Sequence, residues 1–406
     1  MPEPDEPPRP PHLAPLAAVL PPLFIGTATF NTQYVYDPIN MPYRGIVRHA
    51  LVDLGVNGFD TSPYYGPSET LLGEALEATG VERSRYFLET KAGRVHGTGF
   101  DYSRDAIQAS VRRSLQRLRT TYVDLVFAHD AEFMSPAEVV TAVRALRALR
   151  SEGVLRYVGI SGFPVDVLAS LAEHILAETG EPVDAVLSYG HCTVQNTRLL
   201  GDPVVQMHKA GVSVVLNASL LNMGLLTTRG VDNGPQAKWH PSPPALRDVC
   251  ADVARVCQQD PLPASLNMKG IEQVALRYSM DLWAREAVAA QVATTAFADT
   301  SIGSSVLGVT TLEELDETML EWWSVLDGLG VPHGSIERLQ EITGIGSEPD
   351  GQAKKEAGLA RTATIKKFVE ERLWPVFGTH KDFAWASPEE GWVNELKLSG
   401  EAEAKL

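Results

Sequence analysis

The sequence is poor in cysteine, which excludes two kinds of small-domain architecture. Of its 406 residues only Cys192, Cys250 and Cys257 are cysteines, and no two of them form a CxxC pair. This spacing argues against a disulfide framework and against a zinc site, and it is typical of a protein of the reducing cytoplasm. Cys250 and Cys257 lie seven residues apart on a predicted helix, so we expect both thiols to face the core.

Positive charge and long apolar runs are also scarce. The chain carries 35 Lys and Arg residues against 51 Asp and Glu residues, a formal net charge of −16. Nucleic acids and anionic membranes both attract basic surfaces, so this balance argues against either partner. The sequence contains no apolar run of about 18 residues, so it predicts no transmembrane helix. We expect a small molecule as the partner, bound by a monomer or a weak homodimer.

The chain does contain a regular alternation of short apolar runs and amphipathic helical patterns. Its strand-like runs span residues 23–30, 58–62, 86–91, 122–129, 156–161, 184–189, 212–219 and 304–309. Eight strand–helix units predict an α/β protein whose parallel strands close into a (β/α)8 TIM barrel. The alternative is an open doubly wound sheet, which requires a G-x-G-x-x-G turn after the first strand. That turn reads GTATFN here, which favours the barrel.

Three segments do not follow the barrel pattern of residues 23–328. Residues 1–22 are rich in proline and lack the basic segment of a signal peptide, so we expect a flexible, extended tail. Residues 227–244 form a polar insertion rich in Gly and Pro after the seventh strand, which makes them a candidate lid. Residues 329–406 form a C-terminal extension, in which the stretch 381–396 holds two tryptophans among acidic residues. Such a segment either packs on the barrel or meets a partner.

Three consecutive strands end in groups that carry charge or exchange protons. Asp60 follows the second strand, Lys91 the third and His129 the fourth, and Tyr65 lies in the loop that leaves the second strand. Taken singly, such groups have ordinary structural roles as a helix cap, a solvated cation or a core imidazole. In a (β/α)8 barrel, however, the carboxyl ends of the strands surround the active site. We therefore predict that the four residues share one crevice.

A phenol, an ammonium, a carboxylate and an imidazole together can move a proton on or off an alcohol oxygen. A phenol with its ordinary pKa of about 10 is a slow proton carrier at neutral pH. We expect the Lys91 ammonium to lower the pKa of the nearby phenol, and Asp60 to hold that lysine in place. The imidazole can then donate a hydrogen bond to an oxygen on which charge develops while a hydride moves on the adjoining carbon.

The motifs around these residues resemble those of the aldo-keto reductase family. DTSPYYGPSETLLGEAL is similar to the family stretch D-T-x-x-x-Y-G-x-S-E, ETKAG to its lysine strand, and SVRRSLQRLRTTYVDLVFAHD to its helix and histidine strand. The resemblance implies a cytosolic (β/α)8 enzyme that uses a nicotinamide cofactor and no metal. It also implies that Tyr65 is the general acid and base, that Lys91 and Asp60 tune it, and that His129 orients the substrate.

Within that family, SYGHCTVQNTRLL, LLNMGLLT and WHPSPPALRDVCADVARVC resemble the NAD-dependent aldose 1-dehydrogenases. The resemblance implies oxidation of the anomeric hydroxyl of a sugar of the L-galactose or D-arabinose type to a lactone. The residues that it implies as cofactor contacts are Gly26, Thr27, Ala28, Ser161, Ser188, Ser219, Leu220, Gly224, Gly308, Glu314 and Thr318. Several of these depart from the usual family pattern, since the chain has Ser161-Gly162 for Ser-Asn, Ser188 for Gln and Ser219-Leu220 for Ser-Pro.

The segment after the eighth strand favours NAD over NADP as the cofactor. Residues 308–319 contain no basic residue, and Glu314 stands where the family often has an arginine that grips the 2′-phosphate. A carboxylate repels that phosphate but can accept a hydrogen bond from a 2′-hydroxyl. The structural alternative is an acidic helix start favoured by the helix dipole. Both interpretations leave the phosphate without a partner.

Tyr64, Arg94, Asp130 and Trp239 are the candidate substrate contacts, because all four fall on loops at the catalytic end of the barrel. Arg94 and Asp130 could equally pair with each other, and Trp239 could stack on a sugar or simply anchor its loop. Two other functions stay open. One is a reductase of pyridoxal-like or xenobiotic carbonyls, and the other is a non-catalytic scaffold that binds the cofactor, as channel-associated relatives do.

Overall fold

In a computed structural model of the protein, eight parallel strands form a closed barrel. They are β1 (Leu23–Gly26), β2 (Gly58–Asp60), β3 (Phe87–Ala92), β4 (Val123–Ala128), β5 (Leu155–Gly162), β6 (Ala185–Tyr189), β7 (Val214–Ala218) and β8 (Ser304–Leu307). Each strand pairs in parallel with its sequence neighbours, and β8 pairs with β1 to close the ring. The predicted (β/α)8 barrel is confirmed, and every strand overlaps its predicted run. The structure describes residues 13–259, 266, 268–297, 300–333 and 351–397.

Amphipathic helices surround this barrel. They are α1 (Tyr43–Arg48), α2 (Ser68–Thr79), α3 (Arg104–Arg117), α4 (Pro136–Ser151), α5 (Val165–Thr179), α6 (Asp202–Lys209), α7 (Pro244–Gln259), α8 (Ile271–Ala289), α9 (Leu312–Leu329), α10 (Gly351–Phe368) and α11 (Trp374–Phe377). At the start of α3, Ser103 caps the helix by accepting a hydrogen bond from the Ala106 N–H. Across the described residues, no helix is long and apolar enough to cross a membrane.

The alternation of side chains along each strand decides what reaches the barrel interior. On β3, Phe87 belongs to the apolar cluster inside the barrel, whereas Leu88 and Ala92 belong to the cluster between the strands and the helices. Glu89 and Lys91 share the inward face of Phe87, two and four residues further along. The same rule places the last inward residue of each strand at the carboxyl end of the barrel, where a site can form.

Residues 13–22 pack against the amino end of the barrel, which corrects the prediction of a flexible tail through residue 22. Leu16, in a 3-10 turn, and Leu20 are buried with the apolar side chains of the barrel interior. The Tyr157 hydroxyl donates to the Ala14 carbonyl at 2.7 Å. The two leucines bury apolar surface that the open end of the barrel would otherwise expose to water. Residues 1–12 lie outside the described part of the chain.

The C-terminal extension packs on the barrel, which is the first of the two alternatives that the sequence left open. Helix α10 lies against α9, and a Cβ at Gly358 would come within 2.5 Å of the Gly328 backbone nitrogen. Only glycine permits so close an approach. Arg361 on α10 pairs with Glu321 on α9. Beyond α11, residues 378–397 turn back across the carboxyl end of the barrel.

All three cysteines are buried thiols in the core. Cys192, Cys250 and Cys257 are buried, and none is joined to another. Cys250 and Cys257 lie on α7 and face the apolar cluster that α7 forms with α8 and the C-terminal extension. The expectation drawn from their spacing is confirmed.

Candidate active site

A cavity of about 1200 Å³ opens at the carboxyl end of the barrel strands. Asp60, Tyr65, Lys91 and His129 all line it. Asp60 is the last residue of β2, Lys91 is the penultimate residue of β3, and His129 directly follows β4. Because these strands are neighbours in a parallel ring, the structure brings the four predicted residues together.

Lys91 is a fixed cation on the floor of this cavity. Its Nζ donates to Asp60 Oδ1 at 2.5 Å and to the Thr61 carbonyl oxygen at 3.0 Å. Burial by itself disfavours the charged amine, but the Asp60 carboxylate outweighs burial and raises the pKa of Lys91 above its ordinary value. Asp60 therefore holds the lysine both in place and in its charged form, as expected.

The phenol of Tyr65 lies beside this cation. Lys91 Nζ is 4.8 Å from the centre of the Tyr65 ring, and the ring stands perpendicular to that of His129 with the two centres 5.8 Å apart. Burial raises the pKa of Tyr65 to about 12, although Lys91 acts in the opposite, expected direction. The net decrease expected from the sequence is therefore wrong, because the enclosure of the ring outweighs the single cation.

His129 is a neutral hydrogen-bond donor. Burial lowers its pKa to about 3, against the opposing effect of Asp130. Ser62 Oγ accepts the Tyr64 N–H at 3.1 Å and lies 3.1 Å from His129 Nδ1. When the Ser62 hydroxyl donates to Nδ1, the ring proton is on Nε2. The imidazole thus offers one N–H on the side away from Ser62 and carries no charge.

The four candidate substrate contacts, Tyr64, Arg94, Asp130 and Trp239, line the same cavity. The Arg94 guanidinium lies over the Tyr64 ring at 3.8 Å from its centre and forms an ion pair with the Asp130 carboxylate. Of the two alternatives for Arg94 and Asp130, mutual pairing is the one that the structure shows. The pair forms a polar part of the cavity wall next to His129.

The insertion over residues 227–244 folds over one side of the cavity. Trp239 donates from Nε1 to the Gln33 carbonyl at 2.8 Å, and its ring meets that of Tyr34 edge-on with centres 5.4 Å apart. Gln33 Nε2 in turn donates to the Tyr64 hydroxyl oxygen at 3.1 Å. The predicted lid is therefore joined to the loop after β1, and Trp239 both anchors that contact and lines the cavity.

Most of the predicted cofactor contacts line this cavity as well. They are Gly26, Ala28, Ser161, Ser219, Leu220, Gly224, Gly308, Glu314 and Thr318. Thr27 and Ser188 do not. The Thr27 hydroxyl donates to the Asp60 carbonyl at 2.9 Å and so serves the barrel itself. Ser188 is fully buried, and its neighbours Leu187 and Tyr189 reach the cavity instead because successive residues of a strand face opposite sides.

The loop after β7 has an unusual backbone conformation. Ser219, Asn222, Met223 and Gly224 have positive φ angles of 59°, 51°, 56° and 101°, so the chain turns tightly along the cavity wall. Arg229 lies on the same wall. The peptide N–H groups from Asn222 to Leu226 bond within the loop itself, whereas the Arg229 guanidinium is a donor of the kind that binds phosphate oxygens. The cavity also exceeds the ~300–1,000 Å³ of most small-molecule pockets, so these residues fit a dinucleotide with a second ligand beside it.

The end of the cavity next to α9 is acidic. Four carboxylates line it, those of Glu272, Glu314, Glu317 and Glu321. In the described part of the chain, the Lys and Arg residues that line the cavity are Lys91, Arg94 and Arg229. Glu314 lies in the first turn of α9, where Thr311 is the helix cap. Its Oε2 accepts hydrogen bonds from the Thr310 N–H at 2.6 Å and the Thr310 hydroxyl at 2.8 Å. The structure therefore shows the structural alternative for Glu314, an acidic residue at the start of a helix.

The C-terminal extension supplies a wall of the cavity that sequence reasoning missed. Residues 385–392, which we call the strap, line the cavity. Trp385 stacks on Phe163, with ring centres 4.4 Å apart and planes 11° apart. The Ser387 hydroxyl donates to Glu132 Oε1 at 2.9 Å. The only signal in the sequence was a pair of tryptophans among acids far from any strand.

Hydrogen bonds hold the chain on both sides of the strap. Before it, Gln195 Nε2 donates to the His380 carbonyl at 2.6 Å and to the Phe383 carbonyl at 3.0 Å. After it, Asn394 Nδ2 donates to the Phe100 carbonyl at 2.7 Å, and its Oδ1 accepts the Phe100 N–H at 3.1 Å. Tyr34, Tyr189 and Phe133 are further aromatic lining residues that the sequence analysis did not single out.

Comparisons with known proteins agree with this site. Residues 22–324 match the model of the Aldo/keto reductase family. The chain is 37% identical over 298 residues to D-arabinose 1-dehydrogenase of Saccharomyces cerevisiae, covering 72% of this chain and 80% of that protein. It is 36% identical over 292 residues to L-galactose dehydrogenase of Arabidopsis thaliana, covering 71% and 80%.

Among solved structures, an aldo-keto reductase of Bacillus halodurans in its holo form matches with a TM-score of 0.50 at 19% identity, covering 84% of this chain and 91% of that one. This likeness concerns the fold. The assignment to a family rests on the family match over most of the chain and on the identity to the two aldose dehydrogenases. The chain belongs to the aldo/keto reductase family, and it is an oxidoreductase that acts on CH–OH groups with a nicotinamide cofactor.

Proposed function

We propose that this protein oxidises the anomeric hydroxyl of an aldose of the D-arabinose or L-galactose type to the lactone, with NAD as hydride acceptor and Tyr65 as proton acceptor. The observation that carries the proposal is the placement of the Tyr65 phenol between a fixed ammonium and a neutral imidazole in one large cavity. The identity to two aldose dehydrogenases supports the substrate class.

Tyr65 accepts the proton of the C1 hydroxyl in this reaction. The bound nicotinamide supplies the acceptor for the hydride that leaves C1. The phenolate form of Tyr65 is the base, and the Lys91 ammonium at 4.8 Å from the ring stabilises its negative charge. Asp60 keeps the ammonium in position through the 2.5 Å contact. As the C1–H and O–H bonds break, the C1–O bond becomes the carbonyl of the lactone.

His129 positions the reacting oxygen. Its Nε2–H donates a hydrogen bond to the oxygen on C1, because Nδ1 is occupied by Ser62. A neutral donor suits both the hydroxyl and the carbonyl form of the substrate. An imidazolium would oppose loss of the hydride, since it would add positive charge beside a carbon that becomes electron-poor. The low pKa of His129, about 3, keeps the ring neutral throughout the working pH range.

The walls of the cavity suit a small polyhydroxylated ligand. Tyr64 and Trp239 offer aromatic faces to the C–H face of a sugar ring, and the Arg94–Asp130 pair offers donors and acceptors to its hydroxyls. The strap and the insertion line this part of the cavity, and a sugar that displaces water from it would strengthen each charge interaction around Tyr65.

NAD is the cofactor that the acidic end of the cavity favours. A 2′-phosphate needs a Lys or Arg partner, and the described lining residues near Glu314 include none. Glu314 is held by its hydrogen bonds to Thr310, so its carboxylate stays where the extra phosphate would be repelled. A lower KM for NADP than for NAD would contradict this part of the proposal.

A panel of sugars assayed with both cofactors tests the proposal. Reduction of NAD should be observed with D-arabinose or L-galactose, with L-fucose as a third member of the panel. Exclusive oxidation of NADPH with aldehydes such as pyridoxal would instead identify a carbonyl reductase. The Tyr65→Phe variant should lose turnover and still bind NAD, whereas Tyr64→Phe, the matched control in the same loop, should retain most of the activity. Equal activity of Tyr65→Phe and the unmodified protein would remove the catalytic role of Tyr65.

A further inference from the structure

Glu89 is an acidic residue next to the Asp60–Lys91 pair in the barrel interior, and it has no role in the mechanism above. Its side chain is fully buried in the barrel, with 0% exposure. It precedes Lys91 by two residues on β3, so both side chains face the interior. In the pairing of β2 with β3, the Cα of Glu89 is opposite that of Asp60. Neither of its carboxyl oxygens accepts a hydrogen bond from any described residue.

An ionised carboxylate without a hydrogen-bond donor is not stable in such a place. The charged groups whose fields act on Glu89 are Asp60, Lys91 and, on the outer face of β4, Asp124. Lys91 is already paired with Asp60, and Asp124 is itself an anion held by two arginines. Burial raises the pKa of Glu89 well above its ordinary value, and the Asp60 charge raises it further.

Two facing carboxyls that cannot both ionise hold one proton between them. The ammonium of Lys91 contacts Asp60, so the negative charge is favoured on Asp60 and the proton on Glu89. A protonated Glu89 is a donor in a place where the described residues provide none, and its nearest charged acceptor is the Asp60 carboxylate. The carboxyl–carboxyl contact then becomes a hydrogen bond.

We propose that Glu89 is a positioning residue that carries a proton and donates it in a hydrogen bond to Asp60. This inference rests on the proposed role of Tyr65. The hydrogen bond shares the negative charge of Asp60, so Asp60 fixes Lys91 without cancelling its positive charge. The Lys91 ammonium then attracts the Tyr65 phenolate more strongly than it would beside an unshared Asp60 charge, and the phenolate is easier to form.

The surroundings of Glu89 argue against a simple packing role. Leu125, its partner in the β3–β4 pairing, and Phe87, the preceding inward residue of β3, both belong to the apolar cluster inside the barrel. An apolar side chain of similar volume would fill this place without burying a polar group. The carboxyl lies instead at the level where it can reach Asp60.

Two variants separate the hydrogen bond from the volume of the side chain. Glu89→Gln keeps an N–H donor facing Asp60, and Glu89→Leu removes it. We expect E89Q to follow the kcat/KM against pH profile of the unmodified enzyme within about twofold. We expect E89L to be about threefold to tenfold slower at pH 8, with its rise displaced to higher pH, because a hydrogen bond to a charged group is lost. Equal losses in both variants, or none in either, would overturn the proposal.

An infrared measurement tests the proton on Glu89 without any turnover. The unmodified protein should show the carbonyl-stretch band of a protonated carboxyl at pH 8, and the difference spectrum against E89Q should show that band lost. Absence of the band overturns the proposal, even if E89L fails to fold. If the band is present and no sugar is oxidised by the unmodified protein, the proposed function fails while the protonated Glu89 is upheld. A rise displaced to lower pH in E89Q would show that Glu89 is ionised and would also overturn the proposal.

Discussion

Sugar oxidation should accelerate steeply with pH, because the base that the mechanism requires is scarce at neutral pH. Burial raises the pKa of Tyr65 to about 12, so the phenol stays protonated well above its ordinary range. The phenolate fraction is then about 10⁻⁵ at pH 7 and about 10⁻² at pH 10, a tenfold increase for each pH unit. Oxidation needs the phenolate and should follow that slope. Reduction needs the phenol and should be nearly independent of pH over the same range.

The measurement is kcat/KM for the sugar at saturating cofactor between pH 7 and pH 10.5. If the rise levels off within that range, the pH of the bend gives the pKa of Tyr65 in the complex. The difference between that pKa and 12 measures how far a cationic ligand lowers the pKa of Tyr65. Tyr64→Phe, which leaves the Lys91–Tyr65 contact in place, should keep the slope. A flat oxidation profile, or the same slope in Tyr65→Phe, would show that another group accepts the proton.

Four further outcomes follow from the site. Lys91→Met should lower kcat for oxidation by about 10²–10⁴-fold and move the rise to higher pH, measured by steady-state kinetics. Activity in the reductive direction should show no transition between pH 5 and pH 8, because His129 has a pKa of about 3; a transition near 6.5 would contradict its neutral role. Trp385→Ala should lower the free energy of unfolding by about 1 kcal/mol through the lost aromatic stacking and should admit bulkier sugars, whereas Phe383→Ala, at an exposed position, should change neither. Glu314→Arg should lower the KM for NADP and cost about 1 kcal/mol of stability, because it removes the hydrogen bonds to Thr310 and puts a cation at the helix N-terminus, measured by kinetics and thermal unfolding.

The barrel and its four strand-end groups could be predicted because both depend on local patterns. Each strand is a short apolar run bounded by polar residues, and the carboxyl ends of parallel strands meet at one edge. Asp60, Lys91 and His129 therefore converge without any long-range information. The family resemblance, by contrast, misplaced Ser188 as a cofactor contact, because successive residues of a strand face opposite sides. Leu187 and Tyr189 line the cavity instead.

The strap and the pKa of Tyr65 could not be predicted because both depend on residues far apart in the chain. Gln195 holds His380 from 185 positions away, and Phe100 holds Asn394 from 294 positions away. No spacing rule connects such residues. Desolvation of the phenol depends on the folded surroundings as a whole, and it reverses the effect that the local Lys91–Tyr65 pairing predicts. The prediction of a flexible tail through residue 22 was wrong for a related reason. The prolines around Leu16 and Leu20 indicate an extended chain, but they do not indicate the surface against which that chain packs.

Leu16 and Leu20 also bear on the route by which protons leave the enzyme. They stand between solvent and the barrel interior at the amino end of the described barrel. In the proposed reaction, a proton taken up by Tyr65 would therefore return to water through the opening that admits the sugar, once the lactone has departed. Each oxidative cycle would therefore end with loss of this proton from Tyr65, which restores the phenolate. Small buffer bases that can enter the opening should accelerate that step, whereas bulky ones should not.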